Sequence, residues 1–168
     1  MTANAVNTYI VPTVDNEVTM PNQPCFLGVL SGADVNVTGA GATYTIGTTV
    51  AFTEIYDQNS DFNVNGTFTA PVTGRHLLCF HVDVINITAA MTRGYQRLVT
   101  SNRTYSSFSL NVAAGRNTGT DGISWGGAVV ADMDLGDTAT NDITIQIGAG
   151  DTADLATPGT FFSGALLC

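Results

Sequence analysis

Short runs in which apolar and polar residues alternate follow one another along most of this chain. In the clearest run, alternate residues share one largely apolar face: His76, Leu78, Phe80, Val82 and Val84. The opposite face, from Arg75 to Asp83, is mixed. Because successive side chains of a strand point to opposite faces, this pattern predicts a long strand with one face in a core.

Further β-branched and aromatic runs predict strands near residues 26–30, 43–56, 62–70, 105–112, 123–135, 143–147 and 161–167. Gly, Asn, Asp and Pro separate these runs, and they predict loops at 57–61 and 113–122. No window of about 12 residues has helical periodicity. Eight to ten short strands with regular turns indicate an all-β sandwich or barrel.

Residues 1–24 differ from the rest, because three prolines punctuate a β-prone stretch and argue against a central strand or a helix. We expect an extended N-terminal arm at 1–24 and one domain at 25–168. The residues proposed to anchor this arm are Tyr9, Ile10, Val11, Pro12 and Val14. An irregular terminus without a partner is the alternative.

Composition narrows the possible partners. The chain has five arginines, no lysine and fourteen acidic residues, which give a net charge of −9 and argue against nucleic acid. No apolar run reaches the roughly 18 residues of a membrane span. Only 11% of the residues are charged, which suggests a surface partly covered by neighbouring subunits.

The odd cysteine count (Cys25, Cys79 and Cys168) argues against a disulfide scaffold, and Cys79 is predicted to be a small core residue.

Three segments together resemble the C1q/TNF-like globular domain: FTAPVTGRHLLCFHV at 68–82, LGD at 135–137 and FSGALL at 162–167. The resemblance covers residues from about 45 to 168, with His76 where the family usually has Tyr. It implies a jelly-roll β-sandwich of about ten antiparallel strands that forms a homotrimer. The residues it assigns to the core and trimer assembly are Phe68, Gly74, His76, Leu78, Phe80, Phe162, Gly164 and Leu166.

The segment FTAPVTGR, with the lysine-poor and Asn/Thr-rich composition, also resembles members found in bacteriophage structural proteins. This implies a homotrimeric capsid decoration protein on a virion assembled in the host cytoplasm. Its partners would be itself and the major capsid protein or neighbouring virion proteins. The alternatives are a receptor- or glycan-binding tip of a tail fibre and a TNF-like extracellular ligand. A short chain that starts at Met1 without a shaft or signal peptide favours decoration.

Catalysis has little support in the sequence. His76 and His81 are an odd number of residues apart and point to opposite faces of one strand, and no hydrolase, zinc or phosphate-loop motif is present. We therefore expect no enzyme and no cofactor.

Two groups of charged residues remain candidates for binding. The first group consists of calcium candidates beside a turn: Asp132, Asp134 and Asp137, with Asp142. The second group is a possible contact loop formed by Arg93, Tyr95, Arg97, Arg103 and Tyr105, residue types that are frequent at interfaces.

Overall fold

A computed structural model describes residues 11–12, 18–19, 22–39, 41–146 and 152–167. Within these residues the chain forms short antiparallel strands and a single helical turn. In chain order they are β1 Val11–Pro12, β2 Val18–Thr19, β3 Cys25–Leu30, β4 Asp34–Thr38, β5 Thr43–Thr45, β6 Phe52–Asp57, β7 Phe62–Asn63, β8 Thr67–Thr69, β9 Gly74–Ile85, β10 Arg93–Thr100, β11 Thr104–Leu110, α1 Val112–Gly115, β12 Ile123–Met133, β13 Thr138–Gln146, β14 Ala153–Leu155 and β15 Phe161–Leu166.

Two antiparallel sheets make up the sandwich in the described part of the chain. The seven-stranded sheet has the order β4-β14-β9-β15-β3-β6, with β12 along the other edge of β9. The six-stranded sheet has the order β11-β10-β13-β8-β7, with β5 beside β13. Neighbouring strands are often distant in sequence, as in a jelly roll. The all-β prediction is therefore confirmed.

Stacked phenylalanine rings fill the space between the sheets. The Phe26 ring lies 4.6 Å from that of Phe62 and 4.9 Å from that of Phe68, and it meets Phe162 edge-on at 5.1 Å. These are the offset and edge-to-face arrangements that aromatic pairs prefer. A Cβ atom at Gly164 would lie 2.7 Å from Phe26 Cε1, so only glycine at this position of β15 leaves room for the cluster.

The alternation in β9 is as predicted. His76, Leu78, Phe80, Val82 and Val84 are all buried in the core, and the intervening residues point away from it. The strand is long enough for β12 to pair along one edge, while β15 and β14 share the other. It is therefore the central strand of the sheet that carries the surface described below.

Burial of His76 in this core predicts that the protein loses stability in acid. Desolvation lowers the pKa of the imidazole, and the Gly74 backbone opposes this to a smaller extent. In the unfolded chain the imidazole binds a proton near pH 6.5, whereas in the folded chain it does so only at lower pH. Stability is therefore fully present above about pH 6.5 and falls below it, by up to about 1.4 kcal/mol per pH unit.

The measurement is urea unfolding between pH 7.5 and pH 5, comparing wild type with His76→Phe. The variant should lose most of this slope. The control His81→Gln, which leaves the core imidazole in place, should keep it. An unchanged slope in His76→Phe would show that other groups cause the acid sensitivity.

The segment 93–103, predicted to be a contact loop, is instead largely strand. The predicted loop conformation was wrong, and the contact role stays a prediction. Gly94, Gln96, Leu98 and Thr100 of β10 alternate toward the core. The pattern is hard to see in the sequence because Gln96 is polar, and it is buried through a 2.9 Å hydrogen bond from its Nε2 to Asn141 Oδ1.

Two smaller differences concern segments without an obvious period. The predicted loop at 113–122 is preceded and partly replaced by α1, whose first turn is capped by Asn111 Oδ1 accepting from the Ala114 amide at 3.0 Å. The short strands β4 and β14 pair with each other and were not predicted. Polar residues and strands of three to five residues give too little periodicity for detection.

Within the predicted arm, Val11–Pro12 pairs with Val18–Thr19 as a small antiparallel ladder. Tyr9, Ile10 and Val14 lie outside the described residues. The arm and its anchoring role stay a prediction.

Candidate functional site

The face of the seven-stranded sheet that points away from the core is apolar at its centre. In the middle row, Cys79 of β9 lies between Ala128 of β12 and Ser163 of β15, and Ser163 lies beside Leu27 of β3. We call this surface the outer face. It comprises Cys25, Leu27, Val29, Leu77, Cys79, His81, Ala128, Val130, Phe161, Ser163 and Ala165.

Much of the outer face is accessible in the single chain. Val130, on the edge strand β12, is 51% exposed, and most of the other residues of the outer face are only partly buried. The edge strand β6 extends the apolar area, with Ile55 58% and Tyr56 50% exposed. Large contiguous apolar patches are uncommon on monomeric proteins and mark interaction sites.

Charged side chains lie only at the ends of the outer face. Arg75 of β9 is opposite Asp132 of β12 at one end. At the other end Asp83 accepts a 2.7 Å hydrogen bond from the Ser124 hydroxyl. An apolar centre with a polar rim is the usual composition of a protein–protein interface.

His81 is fixed in position within the outer face. Its ring stacks on that of Phe161 with centroids 5.4 Å apart. Its Nδ1 donates to the Gly159 carbonyl at 2.6 Å, which leaves Nε2 on the other side of the ring. The histidine therefore adds a flat ring to the surface.

The structure places most of the residues predicted for core and assembly inside the sandwich. Phe68, His76, Leu78, Phe80 and Phe162 are buried, Gly74 begins β9, and Gly164 and Leu166 are partly buried on β15. None of these belongs to the outer face. The odd-numbered positions of the same alternating run, such as Leu77 and Cys79, carried the signal for that surface.

Cys79 lies on the outer face rather than in the core. Its neighbours Leu78 and Phe80 point into the core, and successive side chains of a strand point to opposite faces. Cys25 and Cys79 are free thiols, and Cys168 lies outside the described residues. Burial, and secondarily Asp57, raises the pKa of the Cys25 thiol, so this thiol is a poor nucleophile near neutral pH.

Hydrogen bonds engage the acidic residue at the end of the segment 132–137. Asp137 accepts hydrogen bonds from the Asp134 amide, the Ser101 hydroxyl and the Asn102 side-chain amide, and these bonds, led by that from Asp134, lower the pKa of its carboxyl. In the described part of the chain, no group of three His, Cys, Asp or Glu side chains could hold a metal ion. A calcium site at Asp132, Asp134 and Asp137 stays a prediction.

The predicted contact residues lie on the β10–β11 hairpin and divide into a group of three and a group of two. Arg93 and Arg97 flank the Tyr95 ring on the solvent side of β10. Arg103 lies 6.0 Å from the centroid of Tyr105, which packs against the core. The five residues therefore do not form one loop surface.

Two buried carboxylates were not predicted from the sequence. Asp154 accepts a 2.7 Å hydrogen bond from the Asn36 amide and another from the Asn86 side chain, and Asp34 accepts one from the Tyr44 hydroxyl. They link β14, β4 and the end of β9. These hydrogen bonds give the two carboxylates a structural role. The sequence does not reveal this role, because Asp is common in turn-rich segments.

Among the described residues, no helix is long and apolar enough to cross a membrane. No protein-family model and no curated protein matches the chain.

Solved structures do match it. A murine APRIL structure has a TM-score of 0.58 at 16% identity and covers 87% of this chain and 100% of its own. The globular domain of zebrafish complement 1qA gives 0.54 at 20%, covering 88% and 98%. Eiger TNF from S. frugiperda gives 0.55 at 16%, covering 87% and 92%. The chain therefore has the C1q/TNF-like jelly-roll fold.

Proposed function

We propose that this chain is a non-enzymatic recognition domain that works as a homotrimer. The observation that carries the proposal is the outer face, an exposed apolar sheet surface with charges only at its rim. Ala128, Ser163 and Ala165 are small enough to allow close approach of a second copy. A closed threefold arrangement, which the family resemblance implies, would bury the outer face of every subunit.

The side chains that could perform chemistry support a binding role. His76 is enclosed in the core and His81 is stacked on Phe161 within the outer face. Nucleophilic catalysis of this kind requires a Ser, Cys or Thr nucleophile that is hydrogen-bonded to a histidine. Among the contacts of the described residues, neither histidine has such a partner.

Two kinds of recognition fit a trimer of this fold. The fold is similar to those of murine APRIL, Eiger TNF and zebrafish complement 1qA, and this similarity favours an extracellular ligand or recognition protein. The absence of lysine and the segment FTAPVTGR favour the capsid decoration protein instead. In both cases weak contacts by single subunits would gain strength from threefold display.

The two candidates differ in where the protein is found and in how many copies are present. Quantitative mass spectrometry of purified virus particles from cultures that carry the gene should find hundreds of copies per particle if the protein is a decoration. A handful of copies indicates a fibre tip. Absence from particles, with saturable binding of the trimer to cells, indicates the extracellular ligand.

Deletion of residues 1–24 tests the arm. We expect the truncated protein to remain a folded trimer, because the core strands begin at Cys25, and to lose binding to its capsid or cellular target. The readouts are mass in solution and co-sedimentation with the target. Binding equal to that of the full chain would remove any anchoring role from the arm.

A further inference from the structure

Three of the five positive charges of this acidic chain belong to one hairpin, β10–β11. Two of them, Arg93 and Arg97, lie on the solvent side of β10 on either side of Tyr95. Their guanidinium carbons are 5.3 Å and 5.5 Å from the centroid of the ring. This is within the range of a cation–π contact, so two donors are held around one aromatic ring.

Hydrogen bonds fix both guanidinium groups. Arg93 Nε donates to Ser109 Oγ at 3.2 Å. Arg97 Nη2 donates to Thr43 Oγ1 at 3.3 Å and pairs with Asp142 at 3.5 Å. Because their rotamers are already restricted, a ligand would lose little side-chain entropy on binding.

The net charge of this site is close to one positive unit. Asp142 offsets the charge of Arg97, and among the ion pairs of the described residues Arg93 has no carboxylate partner. Arg97 Nε is a buried donor without a hydrogen-bond partner. The site therefore has the charge for one anionic group.

Serine hydroxyls complete the site. A register shift between Gln96 and Arg97 inserts an extra residue into the edge strand β11, and bulges of this kind often re-aim side chains beside functional sites. The result is a pocket of about 460 Å³. It is lined by Arg93, Tyr95, Arg97, Ser106, Ser107 and Ser109.

We propose that this pocket binds an acidic sugar through its carboxylate. A guanidinium group matches a carboxylate with two parallel hydrogen bonds. The Ser107 hydroxyl donates to the Gln96 carbonyl at 3.1 Å, while the hydroxyls of Tyr95, Ser106 and Ser109 can exchange hydrogen bonds with sugar hydroxyls. The pocket volume lies within the range of small-molecule sites. A net charge of −9 repels long polyanions such as nucleic acid, which favours recognition of a single charged residue at short range.

The inference rests on the proposed recognition function, because it describes binding without chemistry, but it does not require the trimer. The test is an NMR titration of the full chain with D-glucuronate, with D-glucose and inorganic phosphate as separate probes. We expect saturable shifts at residues 93–97 and 106–109 with glucuronate. Binding of either control probe should be weaker by roughly tenfold or more, because glucose lacks the carboxylate and phosphate lacks the sugar hydroxyls.

Arg93→Gln and Arg103→Gln form a matched pair, since each removes one charge from the same hairpin but only Arg93 lines the pocket. Arg93→Gln should raise the Kd for glucuronate by roughly tenfold or more, and Arg103→Gln should leave it within about twofold. An equal loss in both variants would reduce the effect to long-range charge and overturn the proposal. Phosphate bound as tightly as glucuronate would also overturn it, in favour of a plain anion site.

The mass in solution, measured on the same samples, separates this inference from the function on which it rests. A trimer that does not bind glucuronate would sink the sugar site alone. A monomer that binds glucuronate would keep the sugar site and contradict the homotrimer.

Discussion

If the protein is the homotrimer that we propose, replacing Val130 with Asp should leave it a folded monomer of 17.5 kDa. Val130 is 51% exposed in the single chain, so a carboxylate there remains hydrated and the fold tolerates it. In an assembly that covers the outer face, the same carboxylate would be buried without a partner in every subunit, at a cost of several kcal/mol each. Size-exclusion chromatography with light scattering at micromolar concentration measures the change.

Val72→Asp is the matched control. Val72 is 42% exposed, but it lies in the turn before β9 and not on the sheet surface. The Val72→Asp substitution introduces the same charge and removes the same apolar side chain as Val130→Asp, and it should leave the assembly intact. If both variants dissociate, net charge is responsible. If neither does, the outer face is not the interface.

Replacing Phe26 with Ala should cost about 3–5 kcal/mol of unfolding free energy. Its ring is 1% exposed and touches three other phenylalanines, so deletion leaves a cavity that the two sheets cannot close. The measurement is urea unfolding in the Val130→Asp background, where dissociation does not contribute to the transition.

Phe161→Ala in the same background provides the comparison. Phe161 belongs to the same sheet as Phe26 but lies on the outer face, stacked on His81. Its deletion should cost the monomer less than about 1 kcal/mol, while in the otherwise wild-type chain it should weaken assembly. Equal losses from both deletions in the monomer would mean that the two faces of the sheet are not distinguished as described.

The sequence was sufficient to predict the class of fold and the central strand. The run from Arg75 to Val84 alternates strictly, and burial on one face of a sheet requires that alternation. The FSGALL segment was also informative, because its glycine leaves room for Phe26. These features depend on local sequence and apolar side chains, which a pattern of residues can reveal.

Features that depend on pairing between distant segments were not predictable. The sequence predicts a loop where β10 lies, because the core positions of β10 include Gln96, whose burial depends on Asn141, 45 residues away in another strand. The sequence does not reveal the outer face as a surface, because it combines two or three residues from each of four strands, and their adjacency follows from register alone.

The same limit applies to the Arg93–Tyr95–Arg97 pocket. The sequence indicated that arginine and tyrosine were close together, but it grouped Arg103 and Tyr105 with them. Only the strand register places Ser109 opposite Tyr95 and Ser106 opposite Arg97, and that placement gives the pocket its hydroxyl groups. The separation of the two arginine groups is what makes Arg103→Gln a useful control.

We propose that further copies of the same chain cover the outer face. The most direct test of this proposal is the native mass of the wild-type protein at micromolar concentration. We predict a single species of three times the 17.5 kDa chain mass. A wild-type protein that remains at 17.5 kDa under these conditions would contradict the account.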